Sequence, residues 1–276
     1  LFLALTGGEP LLHPEALEIA QAAVARHFFV RLKTNGTLFD STSLAQWIDC
    51  GVQQVDLSLY HVDPAKHDAF VGQTGALKKT MRTARALRDQ GVAVDIGATV
   101  MNWNAPACSS LIDFFEAEGL RYSFETDVCV RNDGNRAPCA ERATDEQIAA
   151  VLRDPRFNRD LETCSRESLF EMDDPICGAG ASFVLIMPDG DVRLCQRLPM
   201  SLGNVLEQPL RELWPTSPER RRFTSLKVKD FRRCATCSLA AACNHCPASA
   251  LLETGDLLSA TDEECRLARL QRASRT

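Results

Sequence analysis

The 276 residues carry 31 basic and 37 acidic side chains, a net charge of −6 and an apolar fraction of 45%. This composition excludes a disordered tail, a collagen-like fibre and a small disulfide scaffold, and leaves chain enough for one large domain and a smaller one. The acid surplus argues against nucleic acid as the main partner, and no apolar run approaches the ~18–20 residues that cross a bilayer.

Residues 1–5, LFLAL, predict a buried strand; no charged leader or small-residue cleavage site marks them as a signal peptide. The first residue is Leu, so the chain reads as a fragment whose beginning is missing. Residues 14–26 have helical periodicity and open on Pro14, and residues 28–34 predict a strand. A helix over 41–50 is capped by Asp40 or Ser41 and stopped by Gly51. A strand over 53–58, a short helix, a long helix over 76–90 and a strand over 92–100 follow. Helix 105–118, strand 120–126 and helix 144–152 complete the first part. Strand and helix alternating every 25–35 residues or so is the signature of a parallel β/α domain with right-handed crossovers. A doubly wound sheet and a partial barrel both fit. In either, ligands bind at loops after strand C-termini. Gly7–Pro10, Thr34–Gly36, Ser58 with Tyr60, and Asn102 all stand there.

The expected division is a β/α domain over 1–150, a linker over 151–176 and a cysteine-rich domain over 177–276. Beyond Cys177 the β/α rhythm stops. Residues 183–195 read as a hairpin turning at Pro188–Gly190, short helices are expected near 209–214 and 218–225, and an Arg-rich tail closes the chain.

Twelve cysteines are the anomaly. With no secretion signal the default compartment is the reducing cytoplasm, where disulfides are rare and dense cysteine means metal. Cys50, Cys108, Cys129 and Cys139 read as small buried hydrophobes; Cys164 is undecided. Cys177, Cys195, Cys234, Cys237, Cys243, Cys246 and Cys265 crowd together. The C-x2-C pairs at 234–237 and 243–246 are too close for a zinc ribbon, and seven thiolates exceed the four of one tetrahedral zinc. Two iron–sulfur clusters account for them more economically. One zinc held by four of them, in a β/α scaffold protein without redox chemistry, is the alternative. Residues 218–233 carry seven basic and two acidic groups, which suits an anionic cluster nearby and equally a solvated helix face.

Taken together, these residues resemble radical SAM enzymes with a C-terminal SPASM domain. Thr6-Gly7-Gly8-Glu9-Pro10 is similar to the family's GGEP motif, and Lys33-Thr34-Asn35-Gly36-Thr37 to its TNG motif. Cys177-x12-Gly190-x4-Cys195, then Cys234, Cys237 and Cys243, with Cys265 closing, is similar to the SPASM pattern; Cys243-x2-Cys246 departs from its x3 spacing. The resemblance implies a partial parallel β/α barrel followed by a small SPASM domain. It implies S-adenosylmethionine bound at Gly7, Gly8, Glu9 and Pro10, with Thr34, Asn35, Ser58 and Asn102 lining the same pocket. It implies two auxiliary [4Fe–4S] clusters: an outer one on Cys234, Cys237, Cys243 and Cys265, and an inner one on Cys177, Cys195 and Cys246 with its fourth ligand unassigned, Cys164 being one candidate. The family's C-x3-C-x2-C loop, which holds a third, cofactor-binding cluster, is absent from these residues; an upstream part is expected to carry it, and the fragment alone is expected not to cleave the cofactor. The implied chemistry is a 5′-deoxyadenosyl radical taking hydrogen from substrate. Gln196 stands where sulfatase maturases carry an Asp, which points away from them. The expected substrate is a ribosomally made peptide or protein, cross-linked oxidatively by thioether or carbon–carbon bonds. A flavodoxin or ferredoxin as electron donor and a peptide-recognition chaperone are the expected further partners, and a small-molecule substrate is the rival.

Overall fold

The computed structural model describes residues 1–157 and 171–274. It divides into two compact units, Leu1–Thr126 with Asp154–Phe157, and Asp127–Arg153 with the chain from Asn158 on.

In the first unit five strands form one parallel sheet: β1 (Phe2–Leu5), β2 (Phe29–Thr34), β3 (Gln54–Ser58), β4 (Ala93–Thr99) and β5 (Arg121–Glu125). The strand order is 1-2-3-4-5. A doubly wound sheet reverses direction at a switch point, whereas a barrel adds each strand beside the last. The order therefore decides for the partial barrel. Helices α1 (Ala16–Val24), α2 (Ser41–Cys50), α3 (Pro64–Val71), α4 (Ala76–Asp89) and α5 (Cys108–Ala117) make the crossovers. Local signals set their ends: Asp40 caps α2 in a capping box with Ser43, and Gly51 ends it at φ 85°.

Period-two alternation gives the sheet two unlike faces. Val30, Leu32, Val55, Leu57, Val94 and Ile96 are buried with Ala20, Trp47, Met81, Leu87, Leu111 and Phe115 in one apolar core. The intervening residues are charged: Arg31 pairs with Asp56 at 2.5 Å, Lys33 with Asp56 at 3.5 Å, and Arg121 with Asp95 at 2.8 Å. The return segment 154–157 joins this unit by stacking Phe157 on Phe124, centroids 5.0 Å apart, and by Arg156 pairing with Asp113 at 2.7 Å.

The second unit holds α6 (Asp145–Leu152), an antiparallel sheet of β6 (Leu185–Ile186), β7 (Asp191–Arg193) and β8 (Ser201–Asn204), and helices α7 (Leu210–Thr216), α8 (Pro218–Ser225), α9 (Pro247–Thr254) and α10 (Asp262–Ser274). The hairpin turns at Gly190, φ 83°, where an added Cβ would stand 2.5 Å from Asn204 Oδ1. Two elements differ from expectation. Helix α6, expected to close the first part, packs on α10 in this unit. The Arg-rich tail is helix α10, whose Leu267 and Ala268 are buried. No helix among the described residues is long and apolar enough to cross a membrane.

Candidate functional site

The carboxyl ends of β1–β5 surround a cavity of about 700 Å³, walled by Thr6, Gly7, Gly8, Thr34, Asn35 and Ser58 together with the charged sheet face. Glu9, Pro10 and Asn102 stand outside that wall. Glu9 is a latch. Its Oε1 accepts from Thr34 Oγ1 at 2.6 Å and from Leu11 N–H at 3.1 Å, and its Oε2 accepts from Asn35 N–H at 2.9 Å. The loop after β1 is thus tied to the end of β2, while the carboxylate keeps lone pairs for a further donor. Pro10 opens the 3-10 turn Pro10–Leu12 that Glu9 caps.

The loop after β2 is held as firmly. Asn35 Oδ1 accepts from Thr37 N–H at 2.8 Å and Thr37 Oγ1 at 2.7 Å, and Thr83 Oγ1 donates to Gly36 O at 2.8 Å. Gly36 has φ 73°, and a Cβ there would meet Leu57 Cδ2 at 2.8 Å. Both the left-handed backbone and the close approach require glycine. Gly36→Ala is expected to lower unfolding stability by about 1–3 kcal/mol, read as a fall in denaturant midpoint at unchanged slope. A midpoint within error of the parent would show that the loop is not braced in this way.

Asn104 was missed in the sequence, where Asn102 drew attention as the polar residue nearer β4. Asn104 is buried and bridges two loops: its amide donates to Tyr60 O at 3.1 Å and Thr99 O at 3.0 Å, and its Oδ1 accepts from Met101 N–H at 2.7 Å. Beside it His61 stacks on Trp103 with centroids 5.9 Å apart, and Phe70 packs on Trp103 at 4.6 Å. His67, 2% exposed, also walls the cavity. Burial pushes its imidazole below the ordinary value of 6.5, against the opposing pull of Asp68; burial lowers His61 in the same direction. The unfolded chain therefore takes up protons that the folded chain refuses. The contribution is fully present above pH 6.5 and is lost as pH falls through the depressed value. The thermal midpoint of wild type is expected to drop between about pH 7.5 and about pH 5.5, and less so in His67→Gln. Equal slopes for the two proteins would remove His67 as the cause.

In the second unit the crowded thiols act on one another. Cys234 is pushed up first by burial, then by Cys265 and Cys237. Burial pushes Cys243 up to about 12, with Glu264, Cys234 and Cys265 adding to it. Cys195 is raised by burial and, more weakly, by Cys246 and Cys177. Cys234 thus has Cys237 and Cys265 as electrostatic neighbours, Cys243 has Cys234 and Cys265, and Cys195 has Cys177 and Cys246. Local folding presents these thiols. Cys177 Sγ accepts from Ala179 N–H and Cys237 Sγ from Leu239 N–H, both at 3.4 Å, and the amides of Arg197 and Leu198 face Cys195. Amide-to-sulfur bonds of this kind orient and stabilise thiolate ligands. Glu264, 6% exposed, fixes the neighbouring backbone: its Oε1 accepts from Cys246 N–H at 2.9 Å, and its Oε2 stands 3.1 Å from His245 Nδ1.

One tetrahedral zinc brings its thiolates to within ~4 Å of one another. Among the described residues no three His, Cys, Asp or Glu side chains are disposed to hold a single metal ion. A soft, all-thiolate donor set of seven exceeds the four of one tetrahedral zinc and has the chemistry iron–sulfur cages take. Cys164 lies outside the described residues. None of the eleven described cysteines is in a disulfide. Cys108 belongs to the core as expected, and burial raises its thiol to about 12. Of the basic stretch 218–233, Arg233 acts on Cys234. Arg220 instead covers Trp214 at 4.4 Å, and Lys229 pairs with Asp173.

Comparison with known proteins finds the radical SAM superfamily model over residues 2–104 and the SPASM iron–sulfur cluster-binding domain model over residues 177–247. The AdoMet-dependent heme synthase of Methanosarcina barkeri is 26% identical over 282 residues, covering 93% of this chain and 80% of that protein. The PqqA peptide cyclase of Xanthomonas axonopodis pv. citri is 26% identical over 230 residues, covering 79% of this chain and 62% of that protein. Among solved structures, native anSMEcpe with bound AdoMet and Cp18Cys peptide superposes with a TM-score of 0.74 at 17% identity, covering 99% of this chain and 83% of that one.

Proposed function

Since the chain belongs to the radical SAM superfamily and carries a SPASM iron–sulfur domain, an enzyme family served by S-adenosylmethionine and [4Fe–4S] clusters, we propose that it modifies a ribosomally made peptide or protein, forming oxidative thioether or carbon–carbon cross-links. When bound, the cofactor and its cluster supply a 5′-deoxyadenosyl radical that removes hydrogen from substrate. The chain's residues bind, orient and exclude water. In this reading Gly7 and Gly8 let the cofactor approach the backbone, Glu9 takes its ammonium on a free lone pair, and Thr34, Asn35 and Ser58 line its pocket, with Pro10 and Asn102 shaping the flanking loops. The outer thiols Cys234, Cys237, Cys243 and Cys265, and the inner thiols Cys177, Cys195 and Cys246, hold the auxiliary clusters.

The observation that carries the choice of substrate is the charge of the cavity wall. It has two basic groups, Arg31 and Lys33, against three acidic ones, Asp56, Asp95 and Glu125. Both basic groups are engaged by Asp56. A wall with paired charges and hydrogen-bonding edges suits a peptide; a polycarboxylate small molecule asks for unpaired cations. The M. barkeri heme synthase, which covers the larger share of this chain, favours the second reading, a radical SAM enzyme acting on a small molecule. A flavodoxin or ferredoxin as electron source, a peptide-binding chaperone and a reducing cytoplasmic setting belong to the proposal. Turnover is expected only from protein that includes a C-x3-C-x2-C loop, of which these 276 residues contain none. The test is anaerobic reaction of such protein with short peptides encoded beside its gene. The proposal expects a peptide lighter by two hydrogens per cross-link. Peptides unchanged in mass, with 5′-deoxyadenosine formed only when a tetrapyrrole or another small molecule is added, would favour the rival.

A further inference from the structure

The family pattern supplies three thiols to the inner cluster, whereas a four-iron cage with full protein ligation takes four. We propose that Cys129 is the fourth ligand, closing the inner cage with Cys177, Cys195 and Cys246. This rests on the iron–sulfur reading of the second unit. In the sequence Cys129 reads as a small buried hydrophobe; in the fold it is half-buried and within electrostatic reach of Cys246.

The placement is built by two arginines. Asp127, two residues before Cys129, pairs with Arg197 Nη1 at 2.6 Å. Asn132, three residues after it, donates from Nδ2 to Gln196 O at 2.6 Å. The segment bearing Cys129 is therefore pinned on both sides to the turn that follows Cys195. Helix α9 is tied to the same place. Arg197 Nη1 reaches Ser249 Oγ at 3.3 Å, while Arg142 donates from Nε to Val128 O at 2.8 Å and pairs with Glu253 at 2.8 Å. Cys246 is the N-cap residue of α9. Three pieces of chain, carrying Cys129, Cys195 and Cys246, are thus cross-braced by Arg142 and Arg197. The Cys129 and Cys246 sulfurs lie within electrostatic reach of each other, as do Cys195 with Cys246 and Cys195 with Cys177. Arg197 acts on both Cys129 and Cys246, a fixed positive charge beside an anionic cage. Cys139, the other half-buried cysteine of this region, sits in the turn Ala137–Glu141 and acts on Arg142.

The test is differential alkylation of the wild-type chain, before and after anaerobic reconstitution with iron and sulfide, read cysteine by cysteine by peptide mass spectrometry. Cys129 is expected to be alkylated at least about tenfold more slowly once reconstituted, in step with Cys177, Cys195 and Cys246, while Cys139 is unchanged. Protection of those three with Cys129 still reactive would overturn the assignment and leave the cluster reading intact. Reactivity of all four after reconstitution would sink the cluster reading itself. As a second measurement, Cys129→Ser is expected to keep the outer cluster and to yield an inner cluster that readily loses one iron, seen by EPR after mild oxidation. Cys139→Ser is expected to match wild type. A Cys129→Ser protein with wild-type iron content and no such signal would overturn the proposal.

Discussion

Glu9→Ala is expected to lower the unfolding stability of the first unit by about 2–4 kcal/mol and to weaken S-adenosylmethionine binding, in protein carrying the cofactor-binding cluster, by at least about tenfold. The side chain accepts three hydrogen bonds, two of which join the loop after β1 to the end of β2. Removing it leaves the Thr34 hydroxyl, on a residue only 5% exposed, without its acceptor, and leaves the exposed Asn35 N–H to water. Glu9→Gln separates charge from shape. Its amide oxygen still accepts from Thr34, but its NH₂ would face the Asn35 N–H, donor against donor. It should lose stability by an intermediate amount. A Glu9→Ala protein within about 0.5 kcal/mol of wild type would make Glu9 an ordinary surface carboxylate.

Cys243→Ser is expected to empty one cluster and spare the other. Reconstituted iron should fall from about eight to about four atoms per chain, with sulfide falling in proportion. Cys243 shares its neighbourhood with Cys234 and Cys265, while Cys195 shares its own with Cys177 and Cys246. Two separate cages predict that a ligand change in one leaves the spectrum of the other unaltered. Loss of all iron from a variant that still unfolds cooperatively would mean one merged site.

The barrel was legible because its signals are local. Asp40 and Gly51 announce the ends of α2 within a few residues, and alternation in β2 and β3 announces a face to be buried. The GGEP and TNG loops were legible for the same reason, each lying directly after its strand. What stayed hidden depends on partners far along the chain. Strand β8, Ser201–Asn204, has little strand propensity of its own and is held by pairing with β7. Helix α10 read as a charged tail because its buried stripe matters only once α6 lies against it. Asn104 looked like any loop asparagine until the carbonyls of Tyr60 and Thr99 converged on it. Cys129 has no spacing partner in sequence; its neighbours come from the turn after Cys195 and the cap of α9.

Counting iron, sulfide and zinc in the purified chain after anaerobic reconstitution bears most directly on whether two thiolate cages exist. About eight irons and eight sulfides per chain, with a brown colour and little zinc, is the predicted result. A colourless protein binding one zinc per chain and no sulfide would contradict it.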